Sequence, residues 1–308
     1  MSLSAISDLL ERTIGLDVSI LGMESLGRAV LERMTHSGAP DAGAYYRELL
    51  RSSDELQDLV EEVVVPETWF YRDLEPFVFL ARHAAAKWLT ARDREVIRIL
   101  SVPCSTGEEP YSIAMTLMDA GLSPRQFEID ACDISRRAVL TAARSLYGKN
   151  SFRGEQPDFR DRHFEKTESG YRLSTAVSRS VRFFQGNMVA PDFLSGSGRY
   201  DAIFCRNLCI YLSSGARDRA LAAVDRLLAP SGLLFVGHAE VISLWNERFE
   251  TVQHPKSFAY RRRTKSRSET KPVGVTPGSP MTSPDRVPAA AEPFPQRARR
   301  LREPQSVG

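Results

Sequence analysis

The chain has 308 residues, of which 42% are hydrophobic and 26% charged, with a formal net charge of +2, a balance typical of a globular protein with a buried core. No apolar run reaches the ~18 residues of a membrane-spanning helix, and the N-terminus lacks the basic and apolar regions of a secretory signal. Four cysteines are too few for a disulfide scaffold, and none has metal-ligand spacing, so we expect no metal, reduced thiols and a cytoplasmic protein.

The first 66 residues are predicted to form a small all-α domain. Leu26, Val30 and Met34 fall on one helical face, and residues 56–63 carry a second apolar stripe. Glycine and proline breaks follow at Gly38 and Pro40. Twelve acidic and five basic side chains make residues 1–65 an acidic region.

From residue 96 onward, apolar strands alternate with helices. This alternation predicts a parallel, doubly wound α/β sheet of the Rossmann-like class over residues 67–262. Two short strands in residues 248–262 predict a closing antiparallel hairpin, which among doubly wound folds is typical of class I methyltransferases. The parallel strands are predicted at Val96–Pro103, Phe127–Asp133, Val181–Asn187, Asp201–Asn207 and Leu233–Glu240, and a helix is predicted to end at the turn Pro230–Gly232.

Two segments depart from this alternation. Residues 147–180 are polar and end in a possible short strand, which predicts an inserted small subdomain. Residues 261–308 contain 11 basic and 4 acidic side chains and 8 of the 18 prolines. From residue 263 we therefore predict a disordered, basic, proline-rich tail; contact with a nucleic acid or an anionic membrane is the alternative.

In doubly wound sheets the ligand lies beyond the carboxyl ends of the strands. The loop Ser105–Pro110 after the first strand has one glycine and two carboxylates, where a dinucleotide site would have GxGxxG. The carboxylates would repel a pyrophosphate, so the loop disfavours NAD and ATP. A ligand with ribose hydroxyls and a cationic centre fits better, and S-adenosylmethionine has both.

The remaining strand ends supply further polar groups. Asp133 is placed to bind ribose hydroxyls or, alternatively, to cap the helix after it. Asn187 and Met188 offer a polar group and a flat apolar surface for adenine. A buried Arg206, followed by Asn207, needs a carboxylate or a cofactor as its partner.

Several segments of the chain resemble the chemotaxis receptor methyltransferases, the CheR family, and within it the WspC-type branch of surface-sensing and biofilm signalling. The resemblance covers roughly residues 1–262. It implies a protein-glutamate O-methyltransferase that uses S-adenosylmethionine to form methyl esters on the cytoplasmic helical bundle of a methyl-accepting receptor, with S-adenosylhomocysteine as the second product. The segments that carry it are Pro66–Asp73, Ser101–Met115, Ala131–Ser135, Asp201–Leu212 and Gly232–Glu240.

The resemblance also implies site residues. Arg72 and Tyr211 are expected beside the transferring methyl group, Arg72 steering the substrate carboxylate or anchoring that of methionine. Alternatively, Thr68 caps a helix that begins at Trp69. On the surface of that helix, Arg72 would then form an ion pair with Asp73 or Glu75. Trp69 and Phe70 are expected to pack between the helical and α/β domains. Cofactor contacts are implied for Thr68, Arg72, Glu108, Asp133, Asn187, Met188, Arg206 and Asn207.

The chemistry and the partner follow from the substrate. A glutamate with a pKa of roughly 4.3 is ionised at neutral pH, so the reaction needs no general base. A receptor-facing basic surface on the helical domain would have only Arg28, Arg33, Arg47 and Arg51 available. We expect a monomer with no nucleic-acid partner and no membrane insertion.

The sequence leaves two alternative functions open. A nucleic-acid methyltransferase that modifies an amide or amino group would have Asn/Asp-Pro-Pro-Tyr/Phe after the fourth strand, where this chain has Arg206–Cys209. The first 260 residues are also net acidic, which disfavours phosphate binding. A regulatory module that binds S-adenosylmethionine or S-adenosylhomocysteine without turnover is the second alternative.

Overall fold

The computed structural model of the chain describes residues 3–90, 96–153, 158–240 and 248–263. Apart from residue 263, the predicted tail lies outside the described residues. Within the described ranges, no helix is both long enough and apolar enough to cross a bilayer. The four cysteines are all buried and unbridged.

The N-terminal region is helical, as predicted. Leu26 and Val30 of the first stripe are buried, and the second stripe, on α5, packs against them in one apolar cluster. Helix α3 ends at Gly38, whose φ of +77° lets its amide donate to the Met34 carbonyl. The helices are α1 (Leu3–Ile14), α2 (Val18–Leu21), α3 (Met23–Ser37), α4 (Ala42–Leu49) and α5 (Ser53–Val63).

Acidic side chains of α5 form ion pairs inside the molecule. Arg33 donates to Glu55 at 2.7 Å and to Asp58 at 3.0 Å. At the other end of the helix, Glu62 pairs with Arg137 at 3.0 Å. Arg33 is therefore not free to form part of a receptor-facing basic surface. These ion pairs also neutralise part of the negative charge of residues 1–65.

The central sheet has seven strands among the described residues, in the order β6-β2-β1-β7-β8-β10-β9. The first five of these run parallel and the last two form the predicted antiparallel hairpin. The predicted fold class is confirmed. The strands are β1 (Ile97–Ser101), β2 (Phe127–Asp133), β6 (Val181–Gln185), β7 (Tyr200–Cys205), β8 (Leu228–Val236), β9 (Phe249–Thr251) and β10 (Ala259–Arg262), with helices α6 (Glu75–His83), α7 (Glu108–Asp119), α8 (Arg136–Ala143) and α11 (Ser214–Leu227).

The predicted boundaries around the fifth parallel strand are wrong. Helix α11 ends at Leu227, and Pro230–Gly232 lies inside β8, where the pairing with β7 shifts register. Proline and glycine are tolerated at this register shift because the regular hydrogen bonds between the two strands are interrupted there. The same strand stops at Val236, and His238–Glu240 forms a 3-10 turn rather than continuing it.

Strand β1 lies between β2 and β7, which places the topological switch point at its carboxyl end. Alternate side chains of neighbouring strands fill the layers on either side. Phe204 and Phe235 stack at 4.1 Å in one layer, while Ile203 and Leu234 are buried in the other. A rigid sheet buried on both faces thus carries the loops that follow β1, β2, β6 and β7.

The inserted segment forms a small antiparallel sheet in the order β3-β5-β4. The possible strand at its end is β5, after which the chain turns into a short helix. Phe70 packs into this insertion, 4.8 Å from Tyr147 and 5.2 Å from Phe152 between ring centroids, so its expected packing against the helical domain is wrong. The elements are β3 (Leu146–Tyr147), α9 (Asp158–His163), β4 (Phe164–Thr167), β5 (Gly170–Leu173) and α10 (Thr175–Ser178).

Candidate active site

A cavity lies at the carboxyl ends of β1, β2, β6 and β7. One wall comes from these strand ends, a second from the segment 63–72, and a third from residues of α1 and α2 and the turn between them. Glu108 does not line the cavity, although the sequence predicts a cofactor contact for it. The cavity does bring together the other eight predicted site residues, Thr68, Arg72, Asp133, Asn187, Met188, Arg206, Asn207 and Tyr211.

Arg206 follows β7 and has a side chain only 1% exposed. Its Nη1 donates to Glu109 Oε2 at 3.0 Å, and its Nη2 donates to Asp73 Oδ2 at 2.7 Å and to the Arg72 carbonyl at 3.0 Å. Of the two partners expected for a buried Arg206, a carboxylate or a cofactor, the structure shows carboxylates, those of Glu109 and Asp73. Its buried Nε has no hydrogen-bond partner among the described residues.

Asp133 ends β2 and is almost fully buried. Its Oδ2 accepts the Ser105 amide at 2.7 Å and its Oδ1 accepts the Ser135 amide at 2.9 Å. Burial raises the pKa of Asp133 to about 6, although these two amide bonds oppose the shift. The N-cap of α8 is Ser135, whose Oγ accepts the Ala138 amide, so the alternative role of Asp133 as that cap is wrong.

Glu108 and Glu109 begin α7 and point in different directions, because successive helical residues are rotated by roughly 100°. Glu109 lines the cavity and holds Arg206. Glu108 is buried on the other side, where it accepts bonds from Thr106 Oγ1 at 2.7 Å and Ser151 Oγ at 2.8 Å. Burial raises the pKa of both carboxyl groups, and the Arg206 charge opposes this rise at Glu109. Glu108 thus joins the first loop to the insertion.

Asn187 ties the end of β6 to the N-terminal helices. Its Nδ2 donates to the Thr13 carbonyl at 2.7 Å, and its Oδ1 accepts the Val189 amide at 3.1 Å. The side-chain amide is therefore already used within the protein. Met188 is buried and lines the cavity, and its thioether sulfur lies 3.8 Å from Cys205 Sγ.

The segment between α1 and α2 is joined to the chain that follows β7. The Asp17 amide donates to the Tyr211 carbonyl at 2.8 Å, and the Ser213 amide donates to the Gly15 carbonyl at 2.9 Å. Gly15 has a φ of +75°, and an added Cβ would lie 2.5 Å from Ala216 Cβ. The close approach that only glycine permits brings Leu16 into the cavity wall.

Residues Trp69–Asp73 form turns, and α6 begins only at Glu75. The helix that Thr68 was to cap is therefore absent there. Arg72 Nη1 donates to the Glu67 carbonyl at 2.7 Å, and its guanidinium lies 4.6 Å from the Trp69 ring centroid, so the alternative pairing of Arg72 with Asp73 or Glu75 is wrong as well. Trp69 lines the cavity, which the sequence did not predict.

Glu240 is a functional candidate that the sequence reasoning missed. It is fully buried. Its Oε2 accepts the amides of Asn207 and Gly237, both at 2.7 Å, and its Oε1 accepts the amide of Cys209 at 2.6 Å. Asn207 has a φ of +59°, so this carboxylate holds a strained turn directly before Tyr211. Its acidic side chain follows the apolar strand β8 after only three residues, Gly237 to Ala239, but this local pattern does not reveal the amides that it binds.

The wall suits S-adenosylmethionine. The carboxylates of Asp133 and Glu109 are acceptors for hydroxyl or ammonium groups, and Val102 and Met188 offer apolar surface. Two buried polar atoms of the wall, Ser105 Oγ and Arg206 Nε, lack any partner within the described chain, as expected where a polar ligand completes the site. In the same described residues, no group of three or more His, Cys, Asp or Glu side chains could hold a metal ion.

Comparison with known proteins identifies similar sequences. A family profile described as "CheR methyltransferase, SAM binding domain" matches residues 66–258. The "Probable biofilm formation methyltransferase WspC" of Pseudomonas aeruginosa is 44% identical over 271 residues, covering 88% of this chain and 64% of that protein. WspC of Pseudomonas putida is 41% identical, covering 87% and 62%. The chemotaxis protein methyltransferase of Escherichia coli is 32% identical, covering 79% and 85%. The chain thus spans slightly less than two thirds of the WspC relatives.

Proposed function

The chain belongs to the CheR methyltransferase family, and we propose that it transfers the methyl group of S-adenosylmethionine to glutamate carboxylates of a methyl-accepting receptor. The products are a glutamate methyl ester and S-adenosylhomocysteine. The proposal includes a cytoplasmic location, a monomeric chain, and the helical bundle of the receptor as the partner. Its domain division is a helical domain to residue 66 and a catalytic domain over residues 67–262.

One observation carries this proposal. Arg72 and Tyr211, which come from distant parts of the chain, line the same cavity as Asp133 and Arg206. Asp133 belongs to the strand-end acids that bind ribose hydroxyls in doubly wound folds. In this reading, Asp133 holds the ribose, the chain at Asn187 and Met188 covers the adenine, and Arg206 Nε and Thr68 bind polar atoms of the methionine part.

The reaction needs little from the protein beyond orientation. S-adenosylmethionine supplies an electrophilic methyl group on a sulfonium. A carboxylate oxygen of the substrate forms a bond to that carbon while the carbon–sulfur bond breaks and its electron pair stays on sulfur. An anion and a cation become two neutral groups, so a dry cavity favours the transition state over solvated reactants.

Arg72 and Tyr211 orient the incoming carboxylate in this proposal. Arg72 projects its guanidinium beside Trp69, and the hydroxyl of Tyr211 fixes the oxygen that does not attack. Alignment of the attacking oxygen, carbon and sulfur, with the oxygen ~3 to 3.5 Å from the methyl, is the main source of rate. No proton has to move, because the attacking glutamate is already ionised at neutral pH.

The test is incubation of the full chain with methyl-labelled S-adenosylmethionine and the cytoplasmic fragment of a methyl-accepting receptor encoded in the same genome, followed by alkali. Carboxyl methyl esters release volatile labelled methanol under base, and N-methyl products do not. Base-stable label on nucleic acid would support the nucleic-acid alternative. Binding of S-adenosylhomocysteine without transfer to any receptor fragment would favour the regulatory alternative.

A further inference from the structure

Arg153 stands on a segment of the insertion that is fixed against the cavity wall. The Phe70 amide donates to the Ser151 carbonyl at 2.9 Å, and Ser151 Oγ donates to Glu108. The Phe152 ring stacks on Phe70 at 5.2 Å between centroids. These contacts hold the backbone of the segment in a defined position relative to α7 and the turns before α6, so the attachment point of Arg153 is built into the fold.

The side chain of Arg153 lies at the same indole as that of Arg72. The Arg153 guanidinium carbon is 5.5 Å from the centroid of Trp69, and that of Arg72 is 4.6 Å from it. Since both distances refer to one centroid, the two guanidinium carbons lie within about 10 Å of each other. Trp69 is half-buried, and cation–π contact with its ring limits where each guanidinium can move.

Arg153 is only weakly neutralised by its own chain. Its Nη1 lies 3.8 Å from Glu67 Oε1, and the two side chains are 55% and 52% exposed. Exposed ion pairs of this kind are weak, so a carboxylate of a partner can replace Glu67 at little cost. Arg72, in contrast, uses a shorter bond to the Glu67 carbonyl and lines the cavity itself.

A helical substrate provides two carboxylates at the required separation. Residues three or four apart on a helix face the same side, with Cβ atoms roughly 5–6 Å apart, and glutamate side chains extend this reach. The position of Arg153 matters because residues 1–65, with twelve acidic and five basic side chains, offer few cations to an acidic partner.

We propose, on the basis of the proposed function, that Arg153 binds a second carboxylate of the receptor, one helical turn from the glutamate that is methylated. Trp69 holds the guanidinium in place, and Arg72 faces the reacting carboxylate. Arg153 is thus a residue that determines substrate specificity without touching the transferring methyl. It selects sites with an acidic neighbour at i±3 or i±4 over isolated glutamates.

The test compares Arg153→Gln with Arg172→Gln in the full chain. Arg172 is an exposed arginine of the same insertion, on β5, and its replacement changes the charge equally. With the receptor fragment as substrate, Arg153→Gln is expected to raise KM about fivefold, with kcat and the Kd for S-adenosylhomocysteine unchanged. Arg172→Gln is expected to stay within twofold of wild type. Replacing the neighbouring substrate glutamate by glutamine should raise KM for wild type but not further for Arg153→Gln.

The outcomes separate the two proposals. A wild-type chain that binds S-adenosylhomocysteine but methylates no receptor fragment overturns the proposed function. A wild-type chain that methylates the fragment, with equal KM values for Arg153→Gln and Arg172→Gln, overturns the role of Arg153 alone. A fall in kcat or in S-adenosylhomocysteine affinity without a change in KM would also overturn it, because Arg153 would then act on the cavity rather than on the partner.

Discussion

Replacing Glu240 with glutamine should impair methyl transfer although the side chain never reaches the cavity. Its carboxylate accepts three backbone amides, those of Asn207, Cys209 and Gly237. Glutamine has almost the same shape, but only one of its two terminal atoms accepts a hydrogen bond. Whichever way the amide is turned, at least one backbone N–H then faces an NH2 group.

The size of the effect follows from the bonds lost. A hydrogen bond to a charged acceptor contributes about 1.5–3 kcal/mol, and a buried donor left without a partner adds a desolvation cost. We therefore expect the free energy of unfolding to fall by about 2–4 kcal/mol. Because Asn207 has a positive φ that the carboxylate stabilises, the turn before Tyr211 should relax. A misplacement near 1 Å in a site that relies on alignment lowers kcat by about 10²-fold.

Glu55→Gln is the matched control. Glu55 is also a buried carboxylate, bonded to Arg33 and Tyr45, but it lies within the helical region and does not line the cavity. Urea unfolding should show a similar loss for both variants, whereas kcat measured with labelled S-adenosylmethionine should fall for Glu240→Gln alone. Full kcat in folded Glu240→Gln, or an equal loss in both variants, would refute the positioning role of Glu240.

Three further results are expected. The pKa of Asp133 is raised to about 6, and its proposed bonds to ribose hydroxyls need the carboxylate form. The Kd for S-adenosylhomocysteine should therefore rise about tenfold between pH 7.5 and pH 5 in calorimetry; a constant Kd would contradict this. Tyr211→Phe should lower kcat about tenfold and leave the Kd for S-adenosylhomocysteine unchanged. Arg72→Ala should lower turnover with the fold intact. It should raise KM for the receptor if Arg72 steers the substrate, and the Kd if Arg72 anchors the methionine part of the cofactor. Gly15→Ala should lower the free energy of unfolding by about 2–4 kcal/mol, because the added Cβ meets α11. Gly38→Ala is the control: with open space around Gly38, it should lower the free energy of unfolding by only about 1 kcal/mol. Equal losses would contradict the argument from close approach.

The strand ends of the site could be predicted because their signals are local. The sequence predicts a strand over Phe127–Asp133, and the bounds of β2 agree with it. Once the strands are known, the parallel topology brings Asp133, Asn187 and Arg206 to one edge of the sheet without further information.

Other parts of the site depend on contacts that no local pattern encodes. Which of Glu108 and Glu109 faces the cavity depends on the residue at which α7 begins, and a shift of one position exchanges them. The turns at Trp69–Asp73 contain two non-glycine residues with positive φ, so local preference predicted a helix instead. Glu240 is recognisable only when two loops that are separate in sequence are seen to present their amides to it.

Hydrogen bonds join Thr13 and Asp17 of the helical region to the chain that follows β6 and β7. Both regions therefore form the ligand cavity, although the sequence predicted them to be different domains. Occupation of the cavity must therefore slow hydrogen exchange in the last turn of α1, because opening that helix removes Ile14 from the wall and costs binding energy. By the same linkage, a fragment that starts after residue 65 should fold around its sheet yet bind nucleoside ligands poorly. The first helix is thus a direct part of the wall that a ligand would contact.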